Sequence, residues 1–188
     1  MKTLQTERVT LAPVEGSSAR ELWEVLNAPD LRRFQDIPRV RPEEFERQVR
    51  TRPKALRASV NGRFEWILRV GEPPAAVGWI SLRVNDRVGE IGYSLVREAR
   101  GLGYASEALG AVLDEGFHAG ELEEIQACIV PENVASRAVL DRNGFQEQRL
   151  LRGGAVIRGR HVDVVLFSLT RALWDRARRE GLAEANHG

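Results

Sequence analysis

The spacing of hydrophobic residues changes along this 188-residue chain, and each spacing predicts a different element. A short apolar strand is predicted over 8–12, and residues at helical spacing follow over about 18–26. Pro42 begins a second helix, because the first residue of a helix needs no N–H, and this helix ends before Pro53. The first part of the chain therefore predicts one strand and two helices around a polar, proline-containing loop.

In the middle of the chain, the spacing between hydrophobic residues falls to two positions. Aromatic and β-branched residues fill 64–70, 76–84 and 88–96, and short turns rich in Gly, Pro, Asn and Asp separate these segments. Strands joined by such short turns pair antiparallel. This part of the sequence therefore predicts a three-stranded meander.

The clearest helix follows directly after two glycines. Its apolar residues recur at the spacing of an amphipathic helix. They are Ala105, Ala108, Leu109, Val112, Leu113, Gly116 and Phe117. The rest of the chain predicts a strand over 125–130, a helix capped by Asn133 and ended by Gly144, strands over 145–151 and 162–169, and a helix over 170–185.

Charge and cysteine content disfavour several classes of function. The 28 Lys and Arg residues almost balance the 27 Asp and Glu residues, so no overall field favours nucleic acid. The single cysteine, Cys128, cannot form an internal disulfide, and neither a signal peptide nor an apolar stretch of about 20 residues is seen. We therefore expect a soluble cytoplasmic protein with no nucleic-acid or membrane partner.

The candidate chemistry centres on the turn between the meander and the long helix. Gly101 and Gly103 allow a tight turn with no side chains over it, and the N–H groups that begin the helix point at one spot. With the positive end of the helix dipole, such a spot binds a pyrophosphate without lysine or metal. An isolated turn of this kind also serves as a plain connection. A dinucleotide fingerprint is disfavoured, because Ser106 takes its third glycine position and three hairpin strands precede the turn.

Four motifs, in this order, resemble those of the GNAT superfamily of acetyltransferases. They read EIGYSL at 90–95, RGLGYASEA at 100–108, PENVASRAVL at 131–140 and NGF at 143–145. Together with LQTERVTL at 4–11, they are similar to the Rim-type branch, which contains the ribosomal-protein N-terminal acetyltransferases. The resemblance covers nearly the whole chain. It implies one acetyltransferase domain over 1–188, with a core over about 7–172 and a C-terminal helix over about 170–185.

The resemblance also implies an α+β fold with acetyl-CoA as the cosubstrate. In this fold a mixed central sheet of about seven strands is mostly antiparallel, its parallel central pair is splayed at the coenzyme site, and helices cover both faces. We expect no metal, since neither His118 nor His161 has metal-ligand spacing to another His or Cys. A homodimer would fit the family, whose members often pair through sheet edges or termini.

The same resemblance implies which residues hold the coenzyme. The pantetheine arm would lie along Ser94, Leu95 and Val96, where a bulge separates neighbouring strands, and the Asn133 side chain would reach it. The pyrophosphate would lie on backbone N–H groups of the turn. These belong to Arg100, Gly101, Leu102, Gly103, Tyr104, Ala105 and Ser106. Glu98 departs from the family pattern, which has Gln or Arg there, but backbone amides make most of the phosphate contacts.

Two side chains match family positions that act in proton transfer. Ser136 would protonate or stabilise the coenzyme thiolate, and Glu90 would accept the amine proton directly or through water. Each has a structural alternative, Ser136 as a first-turn helix serine and Glu90 as an edge carboxylate that lies in solvent or pairs with an arginine. Tyr93 is an alternative acid or a residue of the pocket wall. Cys128 lies in an apolar strand, which predicts core packing rather than a nucleophile.

The resemblance implies transfer of an acetyl group from acetyl-CoA to a primary amine by direct attack in a ternary complex. The acceptor would be a protein N-terminus or, alternatively, a small-molecule amine. A third alternative is an acyl-CoA-binding module without catalysis. The arginine-bearing segment 31–41 lies where such folds cover the acceptor groove, which favours an acidic acceptor, and Trp79 is a core aromatic or a wall of that groove.

Overall fold

Eight strands and five helices make up the part of the chain that the computed structural model describes, which is residues 1–27, 31 and 40–185, with side chains described up to residue 180. The strands are β1 (Leu4–Gln5), β2 (Thr10–Pro13), β3 (Gly62–Val70), β4 (Ala75–Asn85), β5 (Val88–Leu95), β6 (Glu124–Ile129), β7 (Gln146–Ile157) and β8 (Arg160–Thr170). The helices are α1 (Ala19–Asn27), α2 (Pro42–Arg50), α3 (Tyr104–His118), α4 (Val134–Arg142) and α5 (Arg171–Ala185). A short 3-10 turn, Arg97–Ala99, lies between β5 and the glycine turn.

The strands form one sheet in the order β1-β2-β3-β4-β5-β6-β8-β7. Neighbouring strands are antiparallel except β5 and β6, which run parallel because α3 carries the chain back to the same end of the sheet. The α+β fold with a mixed, mostly antiparallel sheet and one parallel central pair is therefore confirmed. The sequence did not predict β1, which has only two residues and pairs with β2.

The parallel pair separates part-way along its length. Three register pairs join β5 to β6, the last between Glu90 and Gln126. Beyond this point β5 continues to Leu95 while paired with β4, and β6 continues to Ile129 while paired with β8. The two strands therefore diverge and leave an opening between their ends.

Helices cover both faces of the sheet, as predicted. Side chains alternate along β4, so Ile80 and Leu82 belong to the core that contains α3, whereas Trp79 packs in a second core with α1 and α2. From α3, Leu109 and Val112 are fully buried in the first core. Burial of these apolar side chains holds α3 against the sheet, and it thereby fixes the position of the glycine turn that precedes the helix.

Most predicted elements match the observed ones to within two residues, and the largest difference is in β7. The sequence predicted this strand over 145–151, whereas it extends to Ile157 and contains a register shift between Leu151 and Ala155. Gly153 and Gly154 fall in this shift, and they interrupted the alternation on which the prediction rested.

One sequence prediction falls on residues about which the structure makes no statement. Residues 32–39 of the arginine-bearing segment lie outside the described residues, as do residues 186–188 at the end of the chain. Among the helices that are described, none combines the length and apolar character needed to cross a membrane.

Candidate functional site

The turn before α3 has a backbone conformation that favours glycine. Gly101 has a φ of 76° and Gly103 a φ of 88°, both in the left-handed region. The first hydrogen bond of α3 runs from the Glu107 N–H to the Gly103 carbonyl at 3.1 Å, and no side chain among the described residues caps the helix. The N–H groups of the first turn therefore lack helical partners. Together with the helix dipole they form a site for negative charge.

A cleft of about 400 Å³ lies where β5 and β6 diverge, and the glycine turn is part of its wall. Most residues predicted to bind the coenzyme line this cleft. They are Ser94, Leu95, Arg100, Gly101, Gly103, Ala105, Ser106 and Asn133. The structure therefore brings together residues from the end of β5, the turn, the start of α3 and the loop before α4.

Three residues predicted for the coenzyme site do not line the cleft. Val96 lies just beyond β5, where its N–H donates to the Val77 carbonyl at 2.8 Å. Leu102 is 51% exposed at the tip of the turn, and the Tyr104 ring packs against the Arg8 guanidinium. If these three residues take part in ligand binding, they do so through their backbone groups, as the sequence predicted for the turn.

Polar contacts hold the elements around the cleft together. Arg100 Nε donates to the Leu95 carbonyl at 2.9 Å and so ties the turn to the end of β5. Asn133 Oδ1 accepts the Ser136 N–H at 3.2 Å and caps α4, which confirms the predicted cap. The amide nitrogen of Asn133 is the end of that side chain which can donate to a ligand. At the other end of α4, Asn143 Nδ2 donates to Ser106 Oγ at 3.0 Å.

Tyr93 on β5 and Ser136 on α4 contact each other in the cleft wall. The Tyr93 hydroxyl donates to the Ser136 carbonyl at 3.2 Å. Burial raises the pKa of Tyr93 above its ordinary value, and a hydrogen bond with the Ser136 side chain offsets only part of this. The Tyr93 phenol therefore stays protonated at neutral pH and remains a hydrogen-bond donor.

Glu90 lies beside the cleft rather than in its wall. Glu90 and Gln126 form the last register pair of the parallel ladder, directly before β5 and β6 diverge. The side chain is 60% exposed, and Arg83 Nη1 lies 3.8 Å from the carboxylate. This arginine is the kind of partner that the structural alternative for Glu90 expected, and at such exposure the ion pair contributes little to stability.

Cys128 lines the cleft, and the prediction that it packs in the core is wrong. Alternation along β6 places its neighbours Ala127 and Ile129 in the core and Cys128 on the opposite face of the sheet, where it is exposed. Partial burial raises the pKa of the Cys128 thiol, and the negative charge of Glu90 raises it further. The thiol therefore stays protonated and is a weak nucleophile.

The Trp79 ring lies in the core, on the face that α1 and α2 cover. It is 4% exposed and packs with Ile67 and Leu22. Of the two alternatives that the sequence left open, the described residues support a core aromatic rather than a groove wall. Trp66 and Trp174 are likewise buried.

The cleft fits the parts of acetyl-CoA that the sequence assigned to it. Its wall combines apolar residues such as Ile91 and Ile129 with the N–H groups of the turn, which suits a pantetheine arm that ends in a pyrophosphate. A Cβ added at Gly101 would meet no atom within 4 Å, so the space over this glycine is open. A phosphate oxygen can therefore approach the backbone there.

Comparison with known proteins identifies the family. A model of the acetyltransferase (GNAT) domain matches residues 8–146, which is most of the chain. The chain belongs to the GNAT acetyltransferase family. The family predicted from the four motifs is thus confirmed, and the protein is an acetyltransferase.

Proteins similar to this chain include some that are named as acetyltransferases of ribosomal proteins. An uncharacterized N-acetyltransferase of Bacillus licheniformis, p20, is 32% identical over 176 residues, which is 91% of this chain and 97% of p20. Among solved structures, a ribosomal-protein-S5-alanine acetyltransferase from Vibrio fischeri has a TM-score of 0.77 at 21% identity and covers 93% of this chain and 99% of its own. RimL, a ribosomal L7/L12 alpha-N-protein acetyltransferase in complex with coenzyme A, has a TM-score of 0.74 at 18% identity, with 90% and 98% covered.

Sequence reasoning missed the part of the cleft wall that β6 contributes. Ala127, Cys128 and Ile129 of β6 line the cleft, as does Val130 directly after the strand. A signal was present, because the carboxyl ends of two parallel strands lie at the same edge of a sheet, and the end of β5 had already been assigned to the site. The strand after α3 should therefore have been included with it.

Proposed function

We propose that this protein binds acetyl-CoA in the cleft between β5 and β6 and transfers the acetyl group to a primary amine. One observation carries the proposal. In a chain of the GNAT family, the N–H groups of the turn at Gly101 and Gly103 open onto a cleft formed by two diverging parallel strands. This arrangement offers one site for the pyrophosphate and an adjoining apolar channel for the pantetheine arm.

In the proposed complex, the chain contributes mostly backbone groups to coenzyme binding. N–H groups from Arg100 to Ser106 receive the pyrophosphate, and backbone groups of Ser94 to Val96 pair with the pantetheine arm. The Asn133 amide donates to the same arm. The end of β5 suits this role, since its ladder with β6 ends at Glu90 while β5 continues to Leu95 along the cleft.

The acetyl thioester supplies the activated carbonyl that the amine attacks, and side chains of the protein accept and donate the protons. Glu90, at the point where the strands diverge, accepts the proton of the amine directly or through one water molecule. Ser136, held by the cap of α4, donates to the leaving thiolate, and Tyr93 holds Ser136 in place. The acid and the base thus come from different elements that meet at the opening.

We propose direct attack by the amine rather than an acetylated enzyme. Cys128 is the thiol in the cleft wall, but its raised pKa keeps it protonated and so limits it as a nucleophile. A Cys128→Ala variant should therefore keep its kcat to within about twofold, whereas loss of a covalent nucleophile lowers rates by orders of magnitude. Steady-state kinetics with both substrates varied should give intersecting lines. Parallel lines together with an inactive Cys128→Ala variant would contradict direct attack.

The acceptor that we propose is a protein N-terminal amine. The support is the fold shared with acetyltransferases of ribosomal proteins, one of which is named as an alpha-N-protein acetyltransferase. These neighbours, at 18% to 21% identity, show the shared fold, and a panel of amines tests the acceptor directly. A small-molecule amine is the alternative acceptor, and an acyl-CoA-binding module without catalysis is the alternative to an active enzyme.

Calorimetric titration of the purified protein with acetyl-CoA is the first test, and we expect a dissociation constant in the micromolar range. The second step offers a panel of peptides with free N-termini, amino acids and polyamines, with thiol release and acceptor mass as readouts. Acetylation of peptide N-termini would support the whole proposal. Turnover of small amines alone would replace the acceptor, binding without turnover would favour the binding module, and no binding would overturn the proposed coenzyme site.

Cytoplasmic location and a homodimer remain predictions. The free thiol of Cys128 fits a reducing compartment. Oligomeric state is open to sedimentation analysis with and without acetyl-CoA.

A further inference from the structure

Arg8 joins the start of the chain to the glycine turn, although the two are far apart in sequence. Its Nη1 donates to the Leu102 carbonyl at 3.0 Å, and its Nε donates to Glu107 Oε2 at 2.9 Å. Its backbone N–H donates to the other carboxylate oxygen of Glu107 at 2.8 Å. The guanidinium also lies over the Tyr104 ring, 5.1 Å from its centre. One side chain thus contacts the tip of the turn and the first residues of α3 together.

The contact with Leu102 fixes the direction of the peptide between Leu102 and Gly103. In a planar trans peptide the carbonyl and the N–H point in opposite directions. Because the Leu102 carbonyl points toward Arg8, the Gly103 N–H points away from Arg8. Gly103 lines the cleft, and a Cβ built on it would lie 3.1 Å from Arg8 Nη2, so Arg8 packs closely behind this residue.

Arg8 also balances the negative charge of Glu107. This carboxylate lies in the first turn of α3, next to the N–H groups that form the site for negative charge. Burial alone would raise the pKa of Glu107, but hydrogen bonds from the Thr6 hydroxyl, the Arg8 N–H and the Arg8 guanidinium outweigh burial and lower it. The carboxylate is therefore ionised, and the Arg8 guanidinium, with Nη2 2.7 Å from Oε2, balances its charge.

We infer that Arg8 is a positioning residue for the pyrophosphate site: it orients the Gly103 N–H and neutralises Glu107 beside that site. The inference rests on the proposed binding of acetyl-CoA by the glycine turn. Arg8 acts through Leu102 and Glu107, and its side chain is 48% exposed, so the expected effect on affinity is moderate.

The test compares donors with and without a pyrophosphate. In Arg8→Ala, the Leu102 carbonyl loses its partner and Glu107 loses its counter-charge, so the dissociation constant for coenzyme A and the KM for acetyl-CoA should rise about tenfold. At saturating acetyl-CoA, kcat should stay within about twofold of the wild type. With S-acetylpantetheine, which has no pyrophosphate, kcat/KM should be unchanged. A general loss of structure would lower activity with both donors alike.

Lys2→Ala is the matched control. Lys2 forms an ion pair with Glu115 at 2.7 Å, so it also links the start of the chain to α3. That pair lies eight residues beyond Glu107, about 12 Å further along the helix. Its removal should leave coenzyme affinity unchanged.

Arg8→Lys keeps the experiment decisive if Arg8→Ala melts at a lower temperature. Lysine retains the charge near Glu107 but is a single point donor that cannot bond both Glu107 and Leu102 in the fork geometry of arginine. We expect a several-fold weaker affinity for coenzyme A and an unchanged kcat/KM with S-acetylpantetheine. Wild-type affinity in both variants, or equal losses with both donors, would overturn the role of Arg8. A wild-type protein that binds no coenzyme A would instead refute the proposed function.

Discussion

Replacing Gly101 and Gly103 by valine should weaken acetyl-CoA binding by at least about 100-fold. Both glycines have positive φ, and a β-branched residue there costs roughly 1–3 kcal/mol per position or forces the turn into another conformation. In either case the N–H groups no longer converge on the pyrophosphate. Hydrogen bonds to charged groups contribute about 1.5–3 kcal/mol each, so the loss of two accounts for the expected decrease. Calorimetric titration measures it directly.

Gly159→Val is the matched control for backbone strain. Gly159 has a φ of 75° in the turn between β7 and β8, and a Cβ there would meet no atom within 4 Å, as at Gly101. This variant should lose stability to a similar extent per position but bind acetyl-CoA like the wild type, because Gly159 is not among the residues of the cleft wall. If the double variant folds and binds acetyl-CoA normally, the glycine turn is only a connection.

The sequence predicted the fold well where local signals and long-range packing agree. In α3, Leu109 and Val112 belong to a stripe with helical spacing, and both side chains are fully buried, so the spacing predicted the helix and its buried face correctly. The glycine turn could also be predicted, because the positive φ values at positions 101 and 103 favour glycine. The location of the cleft wall followed from these two elements together with β5.

Contacts between distant parts of the chain could not be read in the same way. Strand β1 has two residues, too few for a period, and it forms only because β2 offers a partner. The exposure of Cys128 depends on where β5 turns away from β6, and its apolar neighbours in sequence suggested the opposite. Arg8 had no local signal at all, because its partners Leu102 and Glu107 lie more than 90 positions later.

The position of Glu90 is compatible with both roles that the sequence predicted for it. Its place at the end of the parallel ladder fits a base near the amine, and its pairing with Arg83 fits a solvated carboxylate. These are not exclusive, because an exposed pair of this kind is weak and a bound amine can displace the arginine. The competing roles differ in their effect on rate rather than in the resting geometry.

Ser136→Ala should lower kcat by about 100-fold and leave the KM for acetyl-CoA nearly unchanged, because general acid catalysis contributes about 10²- to 10⁴-fold and the hydroxyl acts on the leaving thiolate. Tyr93→Phe should have a smaller effect in the same direction, since it removes the hydrogen bond to Ser136 but not the donor itself. Ser18→Ala is the control, because it removes a hydroxyl at the start of another helix, α1, where it accepts the Glu15 N–H at 2.9 Å, and Ser18 is not among the residues of the cleft wall.

The pH dependence of the rate tests whether Tyr93 only holds Ser136 in place or itself loses a proton during catalysis. Because the pKa of Tyr93 is raised, the phenol does not ionise in the working range, and the wild-type rate should rise with pH as the amine loses its proton and show no alkaline decline up to about pH 9. Tyr93→Phe should lower this profile without changing its shape. An alkaline decline that disappears in Tyr93→Phe would mean that the phenol titrates during catalysis. Full activity in Ser136→Ala would mean that this serine is only a structural residue at the start of the helix.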